Sequence, residues 1–378
     1  MARMSKPRQE TVLSHEDALR LNVLMAGEVH AVRIDEGAMT LHALTPKGEA
    51  KVVLNPDCGN DAYLRKVREF LAGRVLDSPG GYPVYLRRWT RMGQARQQGL
   101  DKLLLLGEPE AVVSVAYSPG VTDELARRAW WALPISDNAR RMLERSAVAE
   151  GEMGPVLARF LVDHLPFEDD PWTIIDTIRT VLLRPGLIDD QARLALWRSG
   201  RHRKTYRVGF LACQPDHLPE SGAARADLTQ LEEQLAGLDD NRWAVALRRL
   251  ASASGQTFLT TVTDVLESAA DQEVVNEVLD ALADYFRPLR PESDHPGGVE
   301  AVRAEYAAPL EADTAPLLEG LPAYEAQLRA MRLLSRADRR IADEILSRTT
   351  AVGSLMRRKL DPVTQLLQEQ TERLRQPG

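Results

Sequence analysis

Two stretches of this chain interleave guanidinium groups with aromatic rings, a pairing of residue types that suits an anionic partner. The first carries Arg87, Arg88, Arg91 and Arg96 around Trp89, with no acid between Leu86 and Leu100. The second carries Arg193, Arg198, Arg201, Arg203, Lys204 and Arg207, with Trp197, His202 and Tyr206 among them and no acid between Asp190 and Asp216. Guanidinium groups neutralise phosphates and aromatic rings stack on unpaired bases, so this chemistry can grip single-stranded RNA. The same cations can instead meet acids of their own chain. Asp264, Glu267, Asp271, Glu273, Glu277, Asp280 and Asp284 follow one another with no base from Thr263 to Phe286. The acidic total charge favours that internal basic-to-acidic contact.

The other reactive residue types are sparse. Cys58 and Cys213 are the two cysteines, and neither has a CxxC partner or a histidine at zinc spacing. Cys58 precedes a helix start near Asn60, which favours its thiolate, while Asp57 and Asp61 oppose it. It is the candidate reactive thiol. His164 lies near Asp163, Glu168, Asp169 and Asp170. Helix-capping work before Pro171 accounts for those acids without a metal. Phosphate-loop, dinucleotide, zinc-protease and serine-hydrolase signatures are absent. No catalytic residue, cofactor or metal site is assigned. The glycines of Ser78–Pro83 (SPGGYP) read as a rigid turn. Of the adjacent Trp130 and Trp131, one is expected in the core and the other partly exposed, because neighbours diverge by about 100° around a helix.

The elements that must position these residues are mostly helices. Ser14 opens S-H-E-D, a capping-box start with Asp17 in the usual Glu position, and the helix carries Leu19, Val23 and Leu24 on one side. Strands are expected at Val29–Ile34, Met39–Leu44 and Lys51–Leu54, as an antiparallel meander. A helix over Asp61–Leu76 follows, with Leu64, Val67, Leu71 and Val75 at helical spacing. From Leu100 onward the pattern is helix, break, helix. Thr122 caps one helix, and Asp170-Pro171 starts another that carries Ile174, Ile175, Ile178, Val181 and Leu182. Successive helical hairpins follow the logic of an α-solenoid without a strict sequence period. The stretch Gln214–Ala226 reads as a linker and Arg287–Gly298 as a second break. Further helices are expected at about 322–350 and 361–375, the last opened by Asp361-Pro362. The fold class is therefore mainly α with a small N-terminal β-meander. It divides into an α/β region at 1–84, a helical region at 85–215 and a second helical region at 220–378.

Length and composition agree with such a protein. The chain has 378 residues, a net charge of −7 and 44% hydrophobic residues, which argues against a general nucleic-acid coat protein. Aromatics make up only 5%, in keeping with helices over sheets. The N-terminus has no apolar stretch of the signal-peptide kind, and no run approaches the ~18 apolar residues of a membrane span. A cytoplasmic protein is expected, with no membrane association.

Particular strings resemble one family. LRLN (19–22), AVRID (31–35), LNPDC (54–58), the stretch 63–94, LLLLGEPEAVV (103–113), TDELARRAWWALP (122–134), NARRML (138–143), MGPVLA (153–158) and FLVDHLPFE (160–168) are similar to the DsrS family. That family is encoded with the reverse dissimilatory sulfite reductase genes of sulfur-oxidising bacteria. The resemblance covers roughly the first half of the chain. It implies a cytoplasmic accessory or regulatory protein of sulfur oxidation whose partners are proteins of that machinery, and it brings no catalytic residues with it. Two alternatives stand beside that reading. One is an RNA-binding post-transcriptional regulator working through the Arg/Trp patches. The other is a cysteine-persulfide sulfur-handling protein using Cys58 or Cys213.

Overall fold

The structure, a computed structural model, describes residues 13–76, 99–291 and 297–377. It is mainly α-helical with one small antiparallel sheet. The chain divides into two compact units, Met1–Asp163 and His164–Gly378.

The first unit opens with α1 (His15–Ala26), strands β1 (Ala31–Asp35), β2 (Thr40–Thr45) and β3 (Gly48–Val53), and α2 (Asn60–Leu76). The sheet is the expected meander, with β1 paired to β2 and β2 to β3. Its third strand begins earlier than Lys51, because Pro46 and Lys47 alone form the turn and Thr45 pairs directly with Gly48. Gly48 adopts φ +112°, a conformation that favours glycine. Met39 belongs to the first turn and not to β2. Its φ is +47°, and its carbonyl accepts from the Leu54 amide at 2.8 Å. Leu21, Val32, Leu41, Leu54, Tyr63, Val67 and Leu71 form a common core in which both helices pack on the sheet.

Of the three residues that the apolar spacing of helix α1 sets on one side, only Leu24 packs against the core. Leu19 and Val23 are 66% and 68% exposed, while Leu21 and Asp17 are fully buried. The reason is polar. Ser14 Oγ accepts from the Asp17 amide at 3.3 Å, as an N-cap should. The Asp17 carboxylate does not complete a capping box. It turns inward, accepting from the Asn55 amide at 2.8 Å and from the Tyr63 hydroxyl.

The rest of this unit comprises α3 (Leu100–Leu103), α4 (Pro109–Ala116), α5 (Asp123–Ala132), α6 (Ser136–Leu143), α7 (Ser146–Ala149) and α8 (Met153–His164). Thr122 caps α5 by accepting from the Leu125 amide. Trp130 and Trp131 are both only partly buried, against the expectation that one enters the core. Trp130 packs edge-on against Phe160 at 4.6 Å, and Trp131 lies under the Arg33 guanidinium at 4.8 Å. Each indole is thus covered on one side by a different element.

The second unit begins with a 3-10 turn, Leu165–Phe167, and α9 (Pro171–Leu182). As expected, Asp170 caps α9 by accepting from the Thr173 amide at 2.8 Å, and Ile174, Ile175, Ile178, Val181 and Leu182 are buried. Next come α10 (Asp190–Ser199), α11 (Lys204–Cys213), α12 (Leu228–Gln234), α13 (Arg242–Ala251), α14 (Ala253–Ser268) and α15 (Gln272–Tyr285). The C-terminal part holds α16 (Val299–Ala304), α17 (Ala315–Gly320), α18 (Glu325–Ser335), α19 (Arg340–Leu346) and α20 (Gly353–Arg375).

Three expectations are corrected here. The compositional break at 214–226 lies inside the unit and is held. Asp216 forms a two-toothed ion pair with Arg249 at 2.6 and 2.7 Å. Arg225 is buried, pairs with Asp227 and donates to the carbonyls of Leu374 and Gln376. The span 322–350 is not one helix, because Asp338 accepts from the Arg340 amide at 3.0 Å and starts α19 anew. The last helix does not start at Asp361-Pro362. It runs through Pro362, with Met356 and Leu360 buried before the proline and Val363, Leu366 and Leu367 after it. Packing on both sides outweighs the missing hydrogen bond.

Candidate functional site

Of the two cationic stretches, Arg87, Arg88, Trp89, Arg91 and Arg96 lie outside the described residues, as does the whole Ser78–Pro83 segment expected to form a turn. The second stretch forms the hairpin of α10 and α11, and its cations have separate tasks. Arg193 donates to Gln214 at 2.8 Å and to the His217 carbonyl. Arg198 and Arg201 both reach Glu220, at 2.8 and 3.4 Å, and hold its carboxyl below the usual carboxylate range, the Arg198 hydrogen bond acting most strongly. Arg203 spans the end of the preceding turn, donating to the carbonyls of Leu165, Pro166 and Glu168. Lys204 pairs with Asp264 at 2.6 Å. One member of the acidic series therefore meets the basic stretch directly.

The aromatic residues of this hairpin face inward. Trp197 and Tyr206 are both buried, and Trp197 packs edge-on against Phe210 at 5.3 Å. Neither ring offers an open face to a nucleic-acid base. Burial also pushes the Tyr206 phenol up, so it stays protonated. Arg207 stacks on Trp197, 3.6 Å from the ring centroid. Gly200 makes room for it, since a Cβ there would lie 2.7 Å from Arg207 Cγ.

The remaining acids of the series are dispersed. Glu267 accepts from Gln368, Asp284 pairs with Arg287, and Asp280 pairs with Arg339. Glu277 is buried between Arg179 at 3.6 Å and Arg339 at 3.3 Å. Burial, reinforced by Asp280, pushes its carboxyl up against the pull of both arginines.

The two thiols differ. Cys58 is exposed beside Asp57, which pairs with Lys66 at 3.3 Å. Cys213 is partly buried, donates to the Arg179 carbonyl at 3.7 Å, and has its thiol pushed up by burial. Cys58 is the more exposed of the two. Around His164, Glu168 Oε1 accepts from the amides of Asp169 and Asp170, and Asp170 caps α9. Among the described residues, no three His, Cys, Asp or Glu side chains converge as metal ligands.

Sequence reasoning overlooked a different surface. Phe167, in the 3-10 turn, is 83% exposed, and Trp172, in the first turn of α9, is 46% exposed. Between them stand Glu168, Asp169 and Asp170. Their signal in the sequence is two aromatic rings flanking capping acids at the Pro166 and Pro171 breaks, off any apolar stripe. No described helix is long and apolar enough to cross a membrane. Comparison with known proteins finds no matching family model, no matching curated protein and no matching solved structure.

Proposed function

We propose that this protein is a cytoplasmic accessory or regulatory protein of bacterial sulfur oxidation that works through protein contacts and is not itself a redox carrier. Similarity of its strings to the DsrS family supplies the context of sulfur oxidation. The observation that carries the contact reading is the surface around Phe167 and Trp172. Folding leaves two large rings in water, five residues apart, with Glu168, Asp169 and Asp170 between them in the chain, and aromatic anchors with a polar rim are what interface centres use. The partner it fits is a protein with an apolar pocket and a basic rim. In this reading the helical hairpins serve as a solenoid-like scaffold for that surface.

The test is affinity capture of the tagged protein from cells oxidising sulfur, before and after ribonuclease, alongside the double variant Phe167→Ser, Trp172→Ala. Partners that survive ribonuclease and vanish with the variant are expected, at unchanged thermal stability of the variant. Identical capture by both proteins would sink the surface assignment. Capture that depends on RNA would move the function to post-transcriptional control.

A further inference from the structure

The second unit contains a cleft of about 470 Å³ that the contact reading does not use. Its walls come from distant stretches: Trp197 and Arg207 from the α10–α11 hairpin, Glu220 and Ala223 from the 214–226 segment, Thr257 from α14, and Arg375 at the end of α20. Most of its polar groups are already committed. The Thr257 hydroxyl donates to the Ala253 carbonyl at 2.7 Å and accepts from the Gly222 amide at 2.8 Å. Thr260 donates to the Gln256 carbonyl at 2.8 Å, and the Gln256 amide donates to the carbonyls of Leu250 and Leu374. Glu220 is held by Arg198 and Arg201. Arg375 pairs with Glu372 at 3.2 Å and keeps a partly exposed side chain with N–H groups to spare.

Arg207 is the exception. Among the described residues its guanidinium has no hydrogen-bond or ion-pair partner, and its Nε is buried without one. The nearby acids are occupied, Asp264 by Lys204 and Glu220 by two other arginines. A half-buried guanidinium with no ion pair of its own is costly, and burial lowers its pKa without discharging it, while Asp264 and Glu220 act on it only through space, beyond ion-pair distance. One face lies against the Trp197 indole, so further bonding is confined to its edge. That edge is the planar fork that pairs with two oxygens of a carboxylate or phosphate. Gly200 leaves the space that lets Arg207 reach this position.

We propose that this cleft binds a small organic molecule through a carboxylate or phosphate head group, with Arg207 as the fork and Arg375 as a second positive charge. Ala223 supplies apolar wall for the remainder of the ligand.

The test uses purified full-length protein and titration calorimetry with sodium phosphate and, separately, sodium malonate, each against sodium chloride at matched ionic strength. Saturable one-to-one binding of at least one probe is expected, and the stronger of the two identifies the head group. Arg207→Gln should weaken it at least tenfold, and Arg207→Lys should fall between, because an ammonium keeps the charge but loses the fork. Arg375→Gln, at the exposed end of α20, should weaken it several-fold and serves if Arg207→Gln does not fold. Absence of saturable binding for both probes overturns the proposal. Unchanged affinity in Arg207→Gln, or in Arg375→Gln where it must stand in, overturns it equally. Because no partner protein takes part, the outcome is separate from that of the capture experiment.

Discussion

Asp17 shows what a single side chain does here. Its carboxylate is fully buried and accepts from the Asn55 amide and the Tyr63 hydroxyl, while Ser14 Oγ lies 3.2 Å from the same hydroxyl. Burial, together with the neighbouring Asp17, pushes the Tyr63 phenol up to about 12, so at neutral pH it remains the donor. The group ties α1 to the end of β3 and to α2. Asp17→Ala leaves the buried Tyr63 hydroxyl without its carboxylate, at a cost of about 1–3 kcal/mol, and frees the partly buried Asn55 amide as well, whereas Tyr63→Phe removes one neutral donor at about 1 kcal/mol. Urea denaturation of the two variants should rank them in that order. Equal and small losses would show that water reaches these groups. The two thiols differ likewise: a sulfur-carrying role bears on exposed Cys58, since Cys213 is held protonated by burial.

At the scale of elements, α9 and α11 meet at a glycine. A Cβ on Gly209 would fall 2.5 Å from Ile178 Cβ, so the two helices approach closely only because that atom is missing. Glycine inside a helix ordinarily costs about 1 kcal/mol relative to alanine. Here the sign reverses. Gly209→Ala should destabilise the protein by about 1–3 kcal/mol through overpacking, as read from chemical denaturation. A gain in stability would mean that Ile178 and the backbone of α9 yield without strain. Helix α20 makes the related point with a proline, since buried residues on either side of Pro362 keep it helical.

At the scale of the molecule, Glu277 joins three distant stretches of the second unit: Arg179 in α9, Arg339 ahead of α19, and its own helix α15. Its carboxyl is pushed up mainly by burial, so the folded state holds the proton more tightly than the unfolded chain does. Its contribution to stability is therefore complete below the ordinary carboxylate value. It declines as pH rises from about 4.3, the unfolded glutamate value, through the raised folded one. Glu277→Gln should flatten the stability profile over that interval when urea midpoints are compared pH by pH. A variant profile parallel to that of the unsubstituted protein would show that the arginines compensate the charge fully. Arg225 works over a similar range, joining the 214–226 segment to the chain end through the Leu374 and Gln376 carbonyls.

What was legible in the sequence was local. Thr122 and Asp170-Pro171 mark helix starts because a cap needs only its own next three residues, and the meander follows from turn residues between short alternating runs. The charge segregation between 193–207 and 264–284 was equally plain, and Lys204–Asp264 joins the two. The tertiary structure decided the rest. It selected the buried face of α1 by giving Asp17 donors 38 and 46 residues away. It held the 214–226 segment through Arg249 and Arg225, carried α20 past Pro362, and left Arg207 in a cleft with no ion-pair partner among the described residues. Each of these depends on which distant groups share a desolvated space. That is set by the packing of the whole chain, where the strength of a polar or apolar contact depends on its surroundings more than on sequence neighbours.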